Sequence, residues 1–408
     1  MPGPYAEVLV GRQPIFDRNL DVVGYELLFR SGPENWARVE DSEEATASVV
    51  IGSLTEIGLE RLVGARPAWI NVSREFLVGG LAETMPSELT VLEILEDEAI
   101  DDHLVAAVRR LRRHGFRVAL DDFAYTPETE RLLPYVDVVK LDVQSLRTEG
   151  VHRQMQELRR FGVTVLAEKV ETHEEHTFCL EVGCELFQGF FFCRPDIVRD
   201  RKISAARLAV LQFISRLQDP EIAFDELEQM IIRDVAFSYR LLRYVNSAFF
   251  GLRQVSSISQ ALVLLGVENL KRWATLSLFA SVEGKPQELT VTALVRARFC
   301  ELAGAGVPNS SAGELFTLGL FSVIDALMDC PIEEVLASTP FPEEMRVALI
   351  TRAGAKGELL ACVSLLETGR LDEARMLVED AGRLYLESII WAEEATGPLF
   401  DVAARPAA

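Results

Sequence analysis

A chain of 408 residues has room for two or three domains, and with 49% hydrophobic residues each can have a proper core, which excludes wholesale disorder. The formal net charge of −22, with an isoelectric point near 4.8, argues against non-specific binding to nucleic acid or to an anionic membrane surface. No apolar run approaches the roughly 20 residues that span a bilayer, and the N-terminus lacks the basic-then-apolar pattern of a signal peptide, so a cytoplasmic protein is expected.

The six cysteines form no CxxC pair and read as free thiols rather than disulfides or zinc ligands. Five histidines are present and none follows His176. In chain order, residues 7–11 (EVLVG) and 22–29 (VVGYELLF) read as strands around a turn at Asp17–Arg18–Asn19. A helix is expected over 41–57, a strand over 68–72 (AWINV) and another in TVLEIL. The stretch 99–113 has acids in its first turn and bases in its last, before Gly115, which suits a helix dipole. Strand and helix then alternate: RVALDDF, a short helix at 128–133, DVVKLD, a helix at 150–160, TVLAEKV, a helix at 172–182 and a last strand, ELFQGFFF.

Alternation of this kind predicts an α/β fold with parallel strands. Seven or eight units in about 195 residues fit a compact (β/α) TIM-like barrel, with its site at the strand C-termini. The alternative, a doubly wound sheet, lacks its usual Gly-rich turn after the first strand. Residues 118–171 carry the strongest chemical signal. Three apolar runs end there in charge: Asp121 and Asp122, then Lys140 and Asp142, then Glu168 and Glu171. Ionisable groups at the ends of apolar strands are costly unless they bind something. Read singly, Asp121–Asp122 suits an acid pair at a helix N-terminus, Lys140 could be a solvated strand end, and Glu26–Arg30 a structural ion pair.

Taken together and in order, ELLFR, INVS, LEILE, DDF, VKLD, AEKVE and QGFFFCRP resemble the EAL-domain cyclic di-GMP phosphodiesterases over nearly all of residues 7–196. The resemblance implies Glu26, Asn71, Glu93, Asp121 and Asp122 as ligands of Mg²⁺ or Mn²⁺. It implies Lys140 as the group orienting the attacking water and Glu168 as a metal-site residue or general base. Arg30 would contact a ligand phosphate, Gln188 would be a further site residue, and Glu96 would anchor the loop after DDF. Hard oxygen ligands suit such cations, which neutralise phosphate and acidify water. The chain departs from the family where Ala124–Tyr125–Thr126–Pro127–Glu128 replaces a Gly/Ser loop and where Leu95 and Lys169 replace a threonine and a glycine. The lost loop would weaken turnover more than binding. Two readings therefore stay open: a cyclic di-GMP phosphodiesterase with low turnover, or a catalytically silent scaffold or sensor.

A proline and a run of bases in CRPDIVRDRKIS close the alternation, placing a barrel domain at 1–200 and a helical domain at 201–408. Residues 233–273 resemble the HDOD domain, a helical signalling module related to HD phosphohydrolases but without their metal-binding His-Asp pairs. With no histidine after His176, the second half cannot build such a site. Asn246 and Ser247 read as turn and cap residues, and Phe249, Phe250 and Trp273 as core. The implied partners are cyclic di-GMP, a signalling protein through the HDOD domain, and a second copy of the chain as a homodimer; nucleic acid and membrane are not expected.

Overall fold

The computed structural model describes residues 8–31, 59–196, 222–232, 257–279 and 284–400 except 309 and 338–340, together with positions 213, 216, 238, 241, 245, 255 and 282. The expected helix at 41–57, much of 200–250, and the readings of Asn246, Ser247, Phe249 and Phe250 lie outside the described residues. The chain divides into two compact units, one of residues 1–192 and 362–386, the other of 193–361 and 387–408. Residues 362–386, which the sequence reading assigns to the helical half, thus group with the barrel.

Eight strands form a closed barrel in sequence order: β1 (Val8–Phe16), β2 (Val22–Ser31), β3 (Ala68–Val72), β4 (Thr90–Ile94), β5 (Arg117–Leu120), β6 (Val138–Asp142), β7 (Thr164–Glu168) and β8 (Leu186–Gln188). The expected α/β barrel is present, with one difference. β1 runs antiparallel to both β2 and β8, whereas β2 through β8 pair in parallel. Only residues 17–21 separate β1 from β2, too few for the dozen or so residues a parallel crossover needs. Asp17 makes the reversal: one carboxylate oxygen accepts the N–H groups of Asn19 (2.8 Å) and Asp21 (3.0 Å).

The helices between strands begin on side-chain caps. After the short helices α1 (Leu59–Val63) and α2 (Arg74–Val78), Asp101 accepts from the N–H of Leu104 to open α3 (Asp102–Arg113), and Thr172 with Glu175 makes a reciprocal capping box for α5 (His173–Val182). The helix expected at 150–160 belongs to α4 (Val143–Leu158), whose first turn starts at once because Asp142 at the end of β6 accepts from the N–H of Ser145, and which breaks at Arg147 (φ 54°, ψ 175°) before the expected stretch. Instead of one helix at 128–133 there are two 3₁₀ turns, Thr129–Arg131 and Leu133–Tyr135. The last strand is also shorter than ELFQGFFF. Gly189 at φ +144° turns the chain after Gln188, where a Cβ would stand 2.0 Å from the Val170 carbonyl, and a 3₁₀ turn follows at Phe190–Cys193.

Side chains alternate with period two along each strand. Ile15, Trp69, Val91, Ala119, Val138 and Leu166 meet as one apolar layer, with Leu186 packed against it. Two residues further along each parallel strand come Asn71, Glu93, Asp121, Lys140, Glu168 and Gln188, so the polar layer sits directly above the apolar one. Gly24 leaves room for the Trp69 indole, since a Cβ there would be 2.4 Å from Trp69 Nε1. Gly24→Ala is expected to lower stability by about 1–3 kcal/mol through overpacking, read as a lower urea midpoint. An unchanged midpoint would show that Trp69 can move aside freely.

The described secondary-structure elements of the second unit are all helical, from Phe224–Ile232 and Ile258–Phe279 onward. The Ile258–Phe279 segment breaks at Gly266 (φ 72°, ψ 162°), a positive-φ position that glycine takes without strain. Trp273 is buried with Ile231, Leu241, Val245 and Leu262 in its core. Among the described residues, no helix is long and apolar enough to cross a membrane.

Candidate active site

The polar layer is organised around Lys140. Its side chain is fully buried, and Nζ lies 2.8 Å from Glu168 Oε1, 2.9 Å from Glu93 Oε1, 2.9 Å from Asp121 Oδ1 and 3.3 Å from Glu26 Oε2. Asn71 Nδ2 donates to Glu26 Oε1 (3.1 Å), and Gln188 Nε2 donates to Glu26 Oε2 (2.7 Å). Seven of the residues expected from the sequence, Glu26, Asn71, Glu93, Asp121, Lys140, Glu168 and Gln188, therefore meet at the C-terminal ends of the parallel strands. Arg30 is on β2 opposite Leu9, and its side chain lies outside the described residues.

Two expected residues stand apart from this centre. Asp122 faces Lys169 instead, with Nζ 3.6 Å from its Oδ1. Glu96 is exposed in the turn after β4 and, among the described residues, makes no hydrogen bond or ion pair to the loop at 124–129 that it was expected to anchor. That loop is held by other contacts. Gln154 accepts from the N–H of Tyr125, Arg160 donates to the Tyr125 hydroxyl, and Thr126 and Thr129 each accept the other's N–H.

Gln13 was not singled out in the sequence. Its Oε1 accepts from Gln188 Nε2 (2.9 Å) and its Nε2 donates to the Glu367 carbonyl (2.9 Å). The available signal was alternation: Gln13 is two residues from Ile15 of the apolar layer, on a strand whose antiparallel direction puts it on the polar side.

Four carboxylates share one ammonium; Glu26, Glu93 and Glu168 are buried with it, and Asp121 is partly exposed. Burial lowers the proton affinity of Lys140, but the charges of Glu26, Glu93, Glu168 and Asp121 outweigh it and hold the ammonium charged. Burial opposes ionisation of Glu26, yet Lys140 and the amide donors of Gln188 and Asn71 keep its carboxyl below the ordinary range. Burial, reinforced by Glu26, pushes Glu93 well up. Glu168 is pushed up to about 8, chiefly by burial. Protons thus balance part of the negative charge.

A divalent cation could take their place, and the donor chemistry fits one. Buried oxygens of this layer without a hydrogen bond include Oε2 of Glu93, Oδ1 of Asn71 and Oε1 of Gln188. All are hard ligands suited to Mg²⁺ or Mn²⁺. Among the described residues, no three His, Cys, Asp or Glu side chains are already gathered closely enough to hold a metal, because the carboxylates are drawn to the ammonium.

The raised carboxyls set a stability trend. Glu168 titrates near 4.5 in the unfolded chain and near 8 in the fold, so the folded state binds the extra proton between these values. Its contribution is fully present below about 4.5 and is lost as pH rises through about 8. Metal-free protein is expected to melt at a lower temperature at pH 8.5 than at pH 6, and Glu168→Gln should flatten that slope. A melting temperature that rises over this window and is indifferent to the substitution would contradict the burial of a protonated Glu168.

The model of the EAL domain matches residues 80–195 and that of the HDOD domain residues 206–333. A Bacillus subtilis relative, uncharacterized protein YuxH, is 32% identical over 94% of this chain and 98% of its own length. The Vibrio cholerae cyclic di-GMP phosphodiesterase CdgJ is 35% identical over 86% of this chain and 83% of its own. A solved complex of Klebsiella pneumoniae BlrP1 with manganese and cyclic di-GMP is 25% identical, covers 47% of this chain and 56% of that one, and has a TM-score of 0.38.

Proposed function

Because the chain belongs to the family in which an EAL domain is joined to an HDOD domain, we propose that its barrel binds cyclic di-GMP and hydrolyses it to the linear dinucleotide with a divalent cation, Mg²⁺ or Mn²⁺. The observation that carries this reading is the buried polar layer of Glu26, Asn71, Glu93, Asp121 and Glu168 around Lys140. The similarity to CdgJ, a cyclic di-GMP phosphodiesterase, supports it.

Glu26, Asn71, Glu93 and Asp121 would hold the cation. When bound, the cation neutralises phosphate charge and lowers the pKa of a water molecule. Lys140, fixed among carboxylates, would orient the attacking water and balance the negative charge that develops on it. Glu168, whose carboxyl titrates near 8, suits a general base acting close to neutrality. Gln188, held by Gln13, sets the orientation of Glu26. Arg30 would meet a phosphate of the ligand. Turnover is expected to be low for such a site, because residues 124–129 are tied to Gln154 and Arg160 rather than free to adjust around the aspartates. The domain assignment that goes with this reading is a barrel at 1–200 and a signalling module at 201–408, through which a protein partner would act.

Single-turnover hydrolysis with Mn²⁺, beside the dissociation constant for cyclic di-GMP, tests the reading. Expected are measurable binding, a linear product and a Mn²⁺-dependent rise in melting temperature. Absent binding together with absent product would leave the silent scaffold.

A further inference from the structure

Lys169 sits where a lysine is conformationally costly. It has φ +56°, in the left-handed region, and it follows Glu168 at the end of β7. The backbone is held in that state from both sides. Gln144 Nε2 donates to the Lys169 carbonyl (3.2 Å), and the N–H of Val170 donates to the Gln188 carbonyl (3.0 Å). The result is a defined aim for the side chain. Lys169 Nζ donates to Asp142 Oδ2 (2.5 Å) and lies 3.6 Å from Asp122 Oδ1, a buried oxygen with no hydrogen bond of its own. Asp142 is itself fixed, since its two oxygens accept from the N–H and hydroxyl of Ser145 at the start of α4.

The two adjacent aspartates therefore meet different cations. Asp121 turns to Lys140 with Glu26, Glu93 and Glu168, while Asp122, itself strained at φ +37°, turns to Lys169. We propose that Lys169 is a built-in cation at Asp122, standing in for a second divalent ion, so that this barrel takes up one such ion rather than two. The inference rests on the metal-binding reading of the Lys140 layer and concerns what this chain adds to it. An ammonium supplies one positive charge and no open coordination position, so it can balance Asp122 but cannot deliver a water molecule. An ion approaching Asp122 must displace a tethered competitor that never diffuses away.

The test counts bound Mn²⁺ by the electron paramagnetic resonance signal of the free ion, titrating full-length protein. Wild type is expected to bind one equivalent. Lys169→Met is expected to bind two, and so is Lys169→Gly, which removes the ammonium and relieves the left-handed backbone, so that a misfolded methionine variant does not decide the matter. Lys169→Arg, which keeps a cation, should remain at one. Two equivalents in wild type, or one in both Lys169→Met and Lys169→Gly, would overturn the role of Lys169 while leaving the metal reading intact. No bound Mn²⁺ in any of the four proteins would overturn the metal reading and this inference with it.

Discussion

Replacing Lys140 by methionine is expected to destabilise the metal-free protein by about 3–5 kcal/mol, the usual cost of removing one partner from a buried charge cluster. Lys140 is the shared counter-ion of Glu26, Glu93, Asp121 and Glu168, all within 3.3 Å of its ammonium. Without it the carboxyls must take up protons or repel one another in a site closed to water. The loss should therefore be larger at pH 8 than at pH 6, where protonation relieves the repulsion. Millimolar Mn²⁺ should restore part of the stability, since a cation bound only by the folded state adds to it. Urea unfolding at the two pH values, with and without Mn²⁺, measures this. Equal midpoints for wild type and variant in metal-free buffer would mean that the carboxylates are not charged enough to need Lys140.

Glu168→Gln is expected to lower cyclic di-GMP turnover by about 10²–10⁴-fold, the range typical of losing a general base, while the dissociation constant changes only a few-fold. The amide preserves the shape of the side chain at the end of β7 but cannot accept a proton from water. Binding should survive because the Glu26, Asn71, Glu93 and Asp121 set is left in place. Single-turnover rates beside equilibrium binding separate the two effects. A parallel loss of rate and affinity would place Glu168 among groups that hold the ground-state complex rather than among those that move a proton.

The barrel and most of its site were legible because both depend on local rules. Apolar strands closed by a charged residue place that residue at a strand end, and period two then fixes its face. Glu93, Asp121, Lys140, Glu168 and Gln188 were all found this way or through the motif order. What the sequence did not disclose depends on pairing between distant segments. Gln13 joins the site only because β1 runs antiparallel, which is a consequence of the five-residue turn capped by Asp17. The first turn of α4 hinges on Asp142, which ends an apolar strand and is at the same time a helix cap. Asp122 and Asp121 are adjacent in sequence and look equivalent, yet the backbone turn between them sends them to different cations. Glu96 was assigned through a motif whose companion loop is altered here, and it stays at the surface.

The pairing of β1 with β8 has a consequence for biosynthesis. Ile15 and Phe16 meet Gln188 and Phe187, so the strand made first must wait for the strand made last before the cylinder can close. Until then both have unpaired edges, and contacts of such long sequence separation are slow to form. Glu26 receives its amide from Gln188 only at that step. Synthesis that stalls before residue 188 would leave a nascent barrel with sticky margins and an incomplete charge network, a natural substrate for chaperones and proteases.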